Sequence, residues 1–179
     1  DWGDGAEKEA SPMNSMSKIV SELQRGDHFR IVAHPIVRLS DEKTVGVELL
    51  TRSSLASFES PADFFRIAQA VNIMTLVDHQ CFRKCLAASL LLPEEIHCHL
   101  NIFPSTLIDI PVRHILDDFP KGVPASRYCV ELSEQQIIGD PSHLLESVRA
   151  LKAHGAQVAI DDVGFGKSCL ENLIFLEPD

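Results

Sequence analysis

Four apolar, strand-like segments of this 179-residue chain each finish in a side chain that can hold a cation. They are VGVE ending at Glu48, HCHLN at Asn101, RYCVE at Glu131 and QVAID at Asp161, at intervals of 53, 30 and 30 residues. About 30 residues is one strand–helix–parallel-strand step, and the longer first interval contains two helical patterns. Taken singly, each polar end reads as a turn residue or a satisfied strand terminus. Together they place oxygen donors at equivalent positions on successive strands, at the C-terminal ends where a (β/α)8 barrel builds its active site.

The segments between them alternate in the same way. Residues 1–17 are polar, contain Gly, Ser and Pro, and lack periodicity, which reads as a linker or cloning remnant before a domain spanning 18–179. SMSKIVSELQRG predicts a short amphipathic helix closed by Gly26. HFRIVAHPIVRL reads as extended, with Pro35 assigning it to a sheet edge, and residues 45–50 as a strand paired with it across the turn SDEKT. Ser60 and Pro61 open one helix and Thr75 a longer one that stops before Pro93. A strand over 96–103, a broken helical stretch around VRHILDDF and a strand over 127–132 come next. A helix from Pro141 to His154, capped by Asp140 and ended by Gly155, leads to a strand over 157–161. A Ser168–Glu171 capping box starts the last helix. This order is that of an α/β chain with a largely parallel sheet.

Composition narrows the ligand. A formal net charge of −10 excludes a nucleic-acid polymer, whose phosphates need a basic face, but leaves open a small phosphorylated ligand held through cations. Five cysteines without a CxxC pair read as reduced thiols in a cytoplasmic protein's core, and Cys81 and Cys85, four apart on a helix, as packing rather than metal ligands. No apolar stretch reaches the ~20 residues of a membrane span. His97 and His99 share a strand face with Asn101, so either a His-x-His metal site or packing beside the oxygen donors is open to them. His28, His79, His114, His143 and His154 read as solvated or helix-surface residues.

At this point the chain resembles a known family. VGVELLTR is similar to the signature of the EAL domain, which hydrolyses the bacterial messenger cyclic di-GMP. HLNIF resembles that family's asparagine strand, VELSE its Glu-x-Thr-Glu strand, IDDVGFGKSCLENLIFLEPD its double-aspartate strand and loop, and HPIVRL its opening strand. The resemblance runs from about residue 18 to Asp179 and implies a TIM-type (β/α)8 barrel of EAL type, with about five strands present here. It implies that Glu48, Asn101, Glu131 and Asp161 ligate metal with Asp162 holding a second ion, that Glu48, Asp161 and Asp162 are catalytic, and that Arg52 clamps a phosphate. It places His34 against a guanine base and Glu134 as the anchor of loop 163–168. It also implies a homodimer and an upstream sensory or signalling domain.

Oxygen donors without a thiolate or imidazole pair suit Mg²⁺ or Mn²⁺. Two such ions about 3.5–4 Å apart can activate water and stabilise a leaving 3′ oxygen in an in-line displacement. The implied reaction opens cyclic di-GMP to linear pGpG. The alternative is a non-catalytic EAL-like module that binds the dinucleotide or a partner protein.

Several positions depart from the family pattern. The loop after the aspartates reads Asp162-Val163-Gly164-Phe165-Gly166 instead of Asp-Phe-Gly-Thr-Gly. His34 replaces a glutamine, Gln69 a glutamate and Ser53 a tryptophan. A lysine strand, a later glutamate and a later glutamine would lie past LEPD. Residues 1–179 alone are therefore expected to leave the last strand's edge unpaired and to show little hydrolysis, and a chain extended by those strands to be active with Mg²⁺ or Mn²⁺.

Overall fold

The structure, a computed structural model, describes residues 12–55, 58–137, 139–164 and 169–179, with backbone only for 12–16 and 169–172. Its centre is a five-stranded sheet in the order β1(Phe29–Val37), β2(Thr44–Ser53), β3(His97–Asn101), β4(Tyr128–Ser133) and β5(Gln157–Asp161). β1 runs antiparallel to β2, and the remaining pairs are parallel. Pro35 sits on the outer strand as expected, where its missing N–H breaks no ladder on a second side.

The helices are α1(Pro12–Arg25), α2(Pro61–Ala70), α3(Met74–Ser89), α4(Pro104–Asp109), α5(Val112–Asp117), α6(Ser142–His154) and α7(Cys169–Leu176). Strand periodicity decides what they cover. Val47 and Leu49, Cys98 and Leu100, Tyr128 and Val130, and Val158 occupy one sheet face and are buried with Phe82, Leu86, Leu107, Leu144, Val148 and Leu151 from the helices. Fully burying each large apolar side chain contributes about 1.5–3 kcal/mol. A second cluster joins Leu23, Phe29, Phe64, Ile67, Val77 and Cys81, tying α1 and the start of β1 to α2 and α3. At Gly46 the strands approach so closely that a Cβ would lie 3.1 Å from the His97 carbonyl oxygen.

Several local expectations shift. Helix α1 begins at Pro12, inside the stretch read as linker, because proline suits a first helical turn that needs no N–H donor. Helix α3 begins at Met74 rather than Thr75, whose hydroxyl instead donates to Asp109 Oδ2 at 2.5 Å. Helix α6 begins one residue past Pro141; Asp140 Oδ1 accepts the Ser142 N–H at 2.8 Å, and Gly155 takes a left-handed φ of 103° at its end. The Ser168–Glu171 box lies outside the described side chains. His79 is half-buried rather than solvated: its Nε2 lies 2.5 Å from Asp118 Oδ2, linking α3 to the end of α5. The outer edge of β5 is partly satisfied, since Asp179 donates its N–H to the Val158 carbonyl and accepts the Val158 N–H through Oδ2.

Arg127, which the sequence places at the start of a strand, is buried. Its guanidinium donates to the carbonyls of Ser89, Leu92, Pro93 and Ile96, gathering the frayed end of α3 and the approach to β3. Replacing it by methionine (R127M) leaves those acceptors unsatisfied and is expected to lower stability by roughly 2–3 kcal/mol. A urea midpoint unchanged from wild type would contradict this role.

Candidate active site

Pairing register fixes where the polar side chains emerge. Glu48 lies opposite His99, Asn101 opposite Glu131, Glu131 also opposite Ala159, and Asp161 opposite Ser133. Following these pairs across the sheet, Glu48, Asn101, Glu131 and Asp161 all fall on the face turned away from the apolar layer. His34 lies opposite Glu48 on the outer strand and Arg52 four residues beyond Glu48, so both share that face.

The row is cross-linked on the diagonal. Asn101 Nδ2 donates to Glu48 Oε1 at 2.7 Å, reaching back to β2. His99 Nδ1 lies 2.6 Å from Glu131 Oε1, reaching forward to β4. The Cys129 sulfur and the Glu131 carboxylate push the half-exposed His99 imidazole up to about 10. His97, the other member of the alternating pair, is exposed.

At the end of β5, Asp162 takes a left-handed φ of 56°, which aspartate tolerates, and its N–H donates to Asp161 Oδ1 at 2.8 Å. Across the same opening, buried Glu134 accepts the Gly164 N–H through Oε2 at 2.8 Å. Arg52 donates from one terminal nitrogen to the Thr51 carbonyl at 2.9 Å, leaving other guanidinium donors for a ligand.

A cavity of about 230 Å³ opens beside Glu48, Arg52 and Asn101, with Phe65, Phe103 and Asp78 among its walls. The Phe65 and Phe103 rings meet edge-on with centroids 4.7 Å apart. Asp78 was not singled out by sequence reasoning. Its signal is present nonetheless: it occupies a core position of α3, in helical phase with buried Cys81 and Cys85. Its Oδ2 accepts the Phe103 N–H at 2.9 Å, two residues beyond Asn101. Burial pushes its carboxyl up to about 7, with the nearby Thr106 hydroxyl and the Phe103 N–H acting the other way. Cys81 and Cys85 are buried packing residues whose thiols burial also pushes up, that of Cys85 to about 11.

Carboxylate and carboxamide oxygens fit a hard divalent cation. Among the described residues no three His, Cys, Asp or Glu side chains close into a compact cage. The donors stand instead as a row across strand ends, so Asn101 and the loop after β5 would have to complete any coordination shell.

The EAL domain family profile matches residues 17–179. The chain belongs to the EAL domain family. It is 26% identical over 174 residues to the cyclic di-GMP phosphodiesterase RocR of Pseudomonas aeruginosa, covering 92% of this chain and 44% of RocR. BlrP1 of Klebsiella pneumoniae, solved with manganese and cyclic di-GMP, superposes with a TM-score of 0.72 at 26% identity, over 86% of this chain and 40% of that one. The EAL domain of Xanthomonas citri FimX, solved with cyclic di-GMP, shares the fold at a TM-score of 0.77 and 18% identity, over 93% of this chain and 67% of that one. The chain spans 20–44% of the length of the first curated relatives it matches. Its five strands are thus part of the TIM-barrel-like EAL fold, and among the described residues no helix is long and apolar enough to cross a membrane.

Asp78 supplies a stability test. A carboxyl raised to about 7 from the ordinary 3.8 favours folding fully below about pH 3.8, and that contribution is lost as pH rises through 7. D78N should remove this slope, a difference on the order of 4 kcal/mol between the two ends of the window. The check is denaturant unfolding of both proteins from pH 4.5 to 8; parallel profiles would show that Asp78 does not titrate in this range.

Proposed function

We propose that this EAL domain is a divalent-metal-dependent phosphodiesterase that opens cyclic di-GMP to linear pGpG. The observation that carries the proposal is the shared face and register of Glu48, Asn101, Glu131 and Asp161 at the C-terminal ends of adjacent parallel strands. In this reading those four residues and Asp162 hold Mg²⁺ or Mn²⁺. When bound there, such cations would supply a water of lowered pKa and offset charge on the phosphate.

Other roles belong to this chain's own groups. Arg52 binds a non-bridging phosphate oxygen through its planar fork and orients the phosphodiester. His34, exposed at the outer strand, hydrogen-bonds one guanine edge in place of the family's glutamine. Glu134 holds the backbone of the loop after β5 through Gly164, fixing where Asp161 and Asp162 stand. RocR, a cyclic di-GMP phosphodiesterase, and BlrP1, solved with manganese and cyclic di-GMP, support the assignment. A homodimer, an upstream signalling domain and a cytoplasmic setting complete the proposal.

One observation favours a second reading, a module that binds the dinucleotide without cleaving it. The loop that Glu134 anchors departs from the family sequence from Val163 onward, so the element next to the two aspartates is altered.

The test is pGpG formation from cyclic di-GMP with Mg²⁺ or Mn²⁺, followed chromatographically in the full-length protein. E48A should lose about 10²–10³ in rate or more. R52A should raise KM about 10–100-fold, the loss of one charged hydrogen-bonding group. Saturable binding with no product from wild type would leave the binding module in place of the enzyme.

A further inference from the structure

Glu131 and Glu48 are each tethered through a single oxygen, but by different partners. The Glu48 partner, Asn101, is itself an expected ligand. The Glu131 partner, His99, is not. It sits one pleat below Asn101 on β3, opposite Glu48 on one side and Cys129 on the other, and reaches diagonally to Glu131 Oε1 at 2.6 Å. Its ring is held between two strands, so its position follows from the sheet register rather than from a mobile loop.

We infer that His99 is a positioning residue for Glu131, bonded to Oε1 so that this carboxylate is held in one orientation toward a cation. The inference rests on the ligand reading proposed above. Without a donor at this point, the Glu131 carboxylate can rotate about its last bond or present both oxygens, and the entropy of choosing one geometry falls on metal binding. Hydrogen-bond partners that orient metal ligands typically change affinity by about 10–100-fold when removed. His97 has no such contact with Glu131 among the described residues, which separates the two histidines functionally.

Mn²⁺ affinity, read from the electron paramagnetic resonance signal of the free ion, tests this directly in wild type, H99L, H99N and E131A. H99L keeps similar volume but no donor; H99N restores an N–H near the place of Nδ1. The expected result is a roughly 10–100-fold weaker Kd for H99L, near recovery in H99N, and equal thermal stability of the metal-free proteins. Should H99L fail to fold, H99F, whose ring has a similar shape but no donor, takes its place with the same expectation. Wild-type affinity in H99L, together with weakened binding in E131A, would overturn the role of His99 alone. Failure of H99N to recover affinity would overturn it as well. If E131A binds Mn²⁺ as wild type does, Glu131 is no ligand, and both the ligand reading and this inference fall.

Discussion

A one-residue slip in any of the parallel strands would carry its carboxylate or carboxamide into the apolar layer and bring a leucine or valine to the open face. The register of β2 to β5 is therefore the constraint from which the rest of the site follows. It is enforced from the other side of the sheet. Leu49, Leu100, Val130 and Val158 are buried against helices, and a slip would replace that burial by the desolvation of charged or polar groups. Packing on one face thereby sets the positions of Glu48, Asn101, Glu131 and Asp161 on the other.

Such a row of acids needs local compensation. The structure supplies it with neutral or basic donors placed between the acids: Asn101 against Glu48, His99 against Glu131, and the Asp162 N–H against Asp161. Each carboxylate is held through one oxygen, which limits the orientations it can adopt. Glu134 extends the same principle to the loop, accepting the Gly164 backbone N–H through Oε2. Asp78 completes the arrangement from behind by fixing the backbone at Phe103, just past the asparagine strand.

Much of this was legible in the residues. The strand at 157–161, the edge placement of Pro35 and the end of α6 at Gly155 follow from local rules that tertiary structure did not need to override. The spacing of four oxygen donors gave the fold class, and register then placed them on one face. What escaped are long-range pairings. Asp78 looks like an interruption of a helix's apolar stripe until Phe103 is brought to it, and Arg127 like a strand-end charge until four carbonyls converge on it. His79 reads as a surface residue until α5 delivers Asp118. The tie between His99 and Glu131 needs the parallel register of β3 and β4, which no local pattern encodes.

The central claim is that these strand ends form one cation-binding site. Crystals of the protein soaked in Mn²⁺ and measured at the manganese absorption edge test it most directly. The account predicts anomalous density between Glu48, Asn101, Glu131 and Asp161, with Asp162 adjacent and His99 still bonded to Glu131. Density at His97 and His99 instead, with the carboxylate row bare, would contradict it.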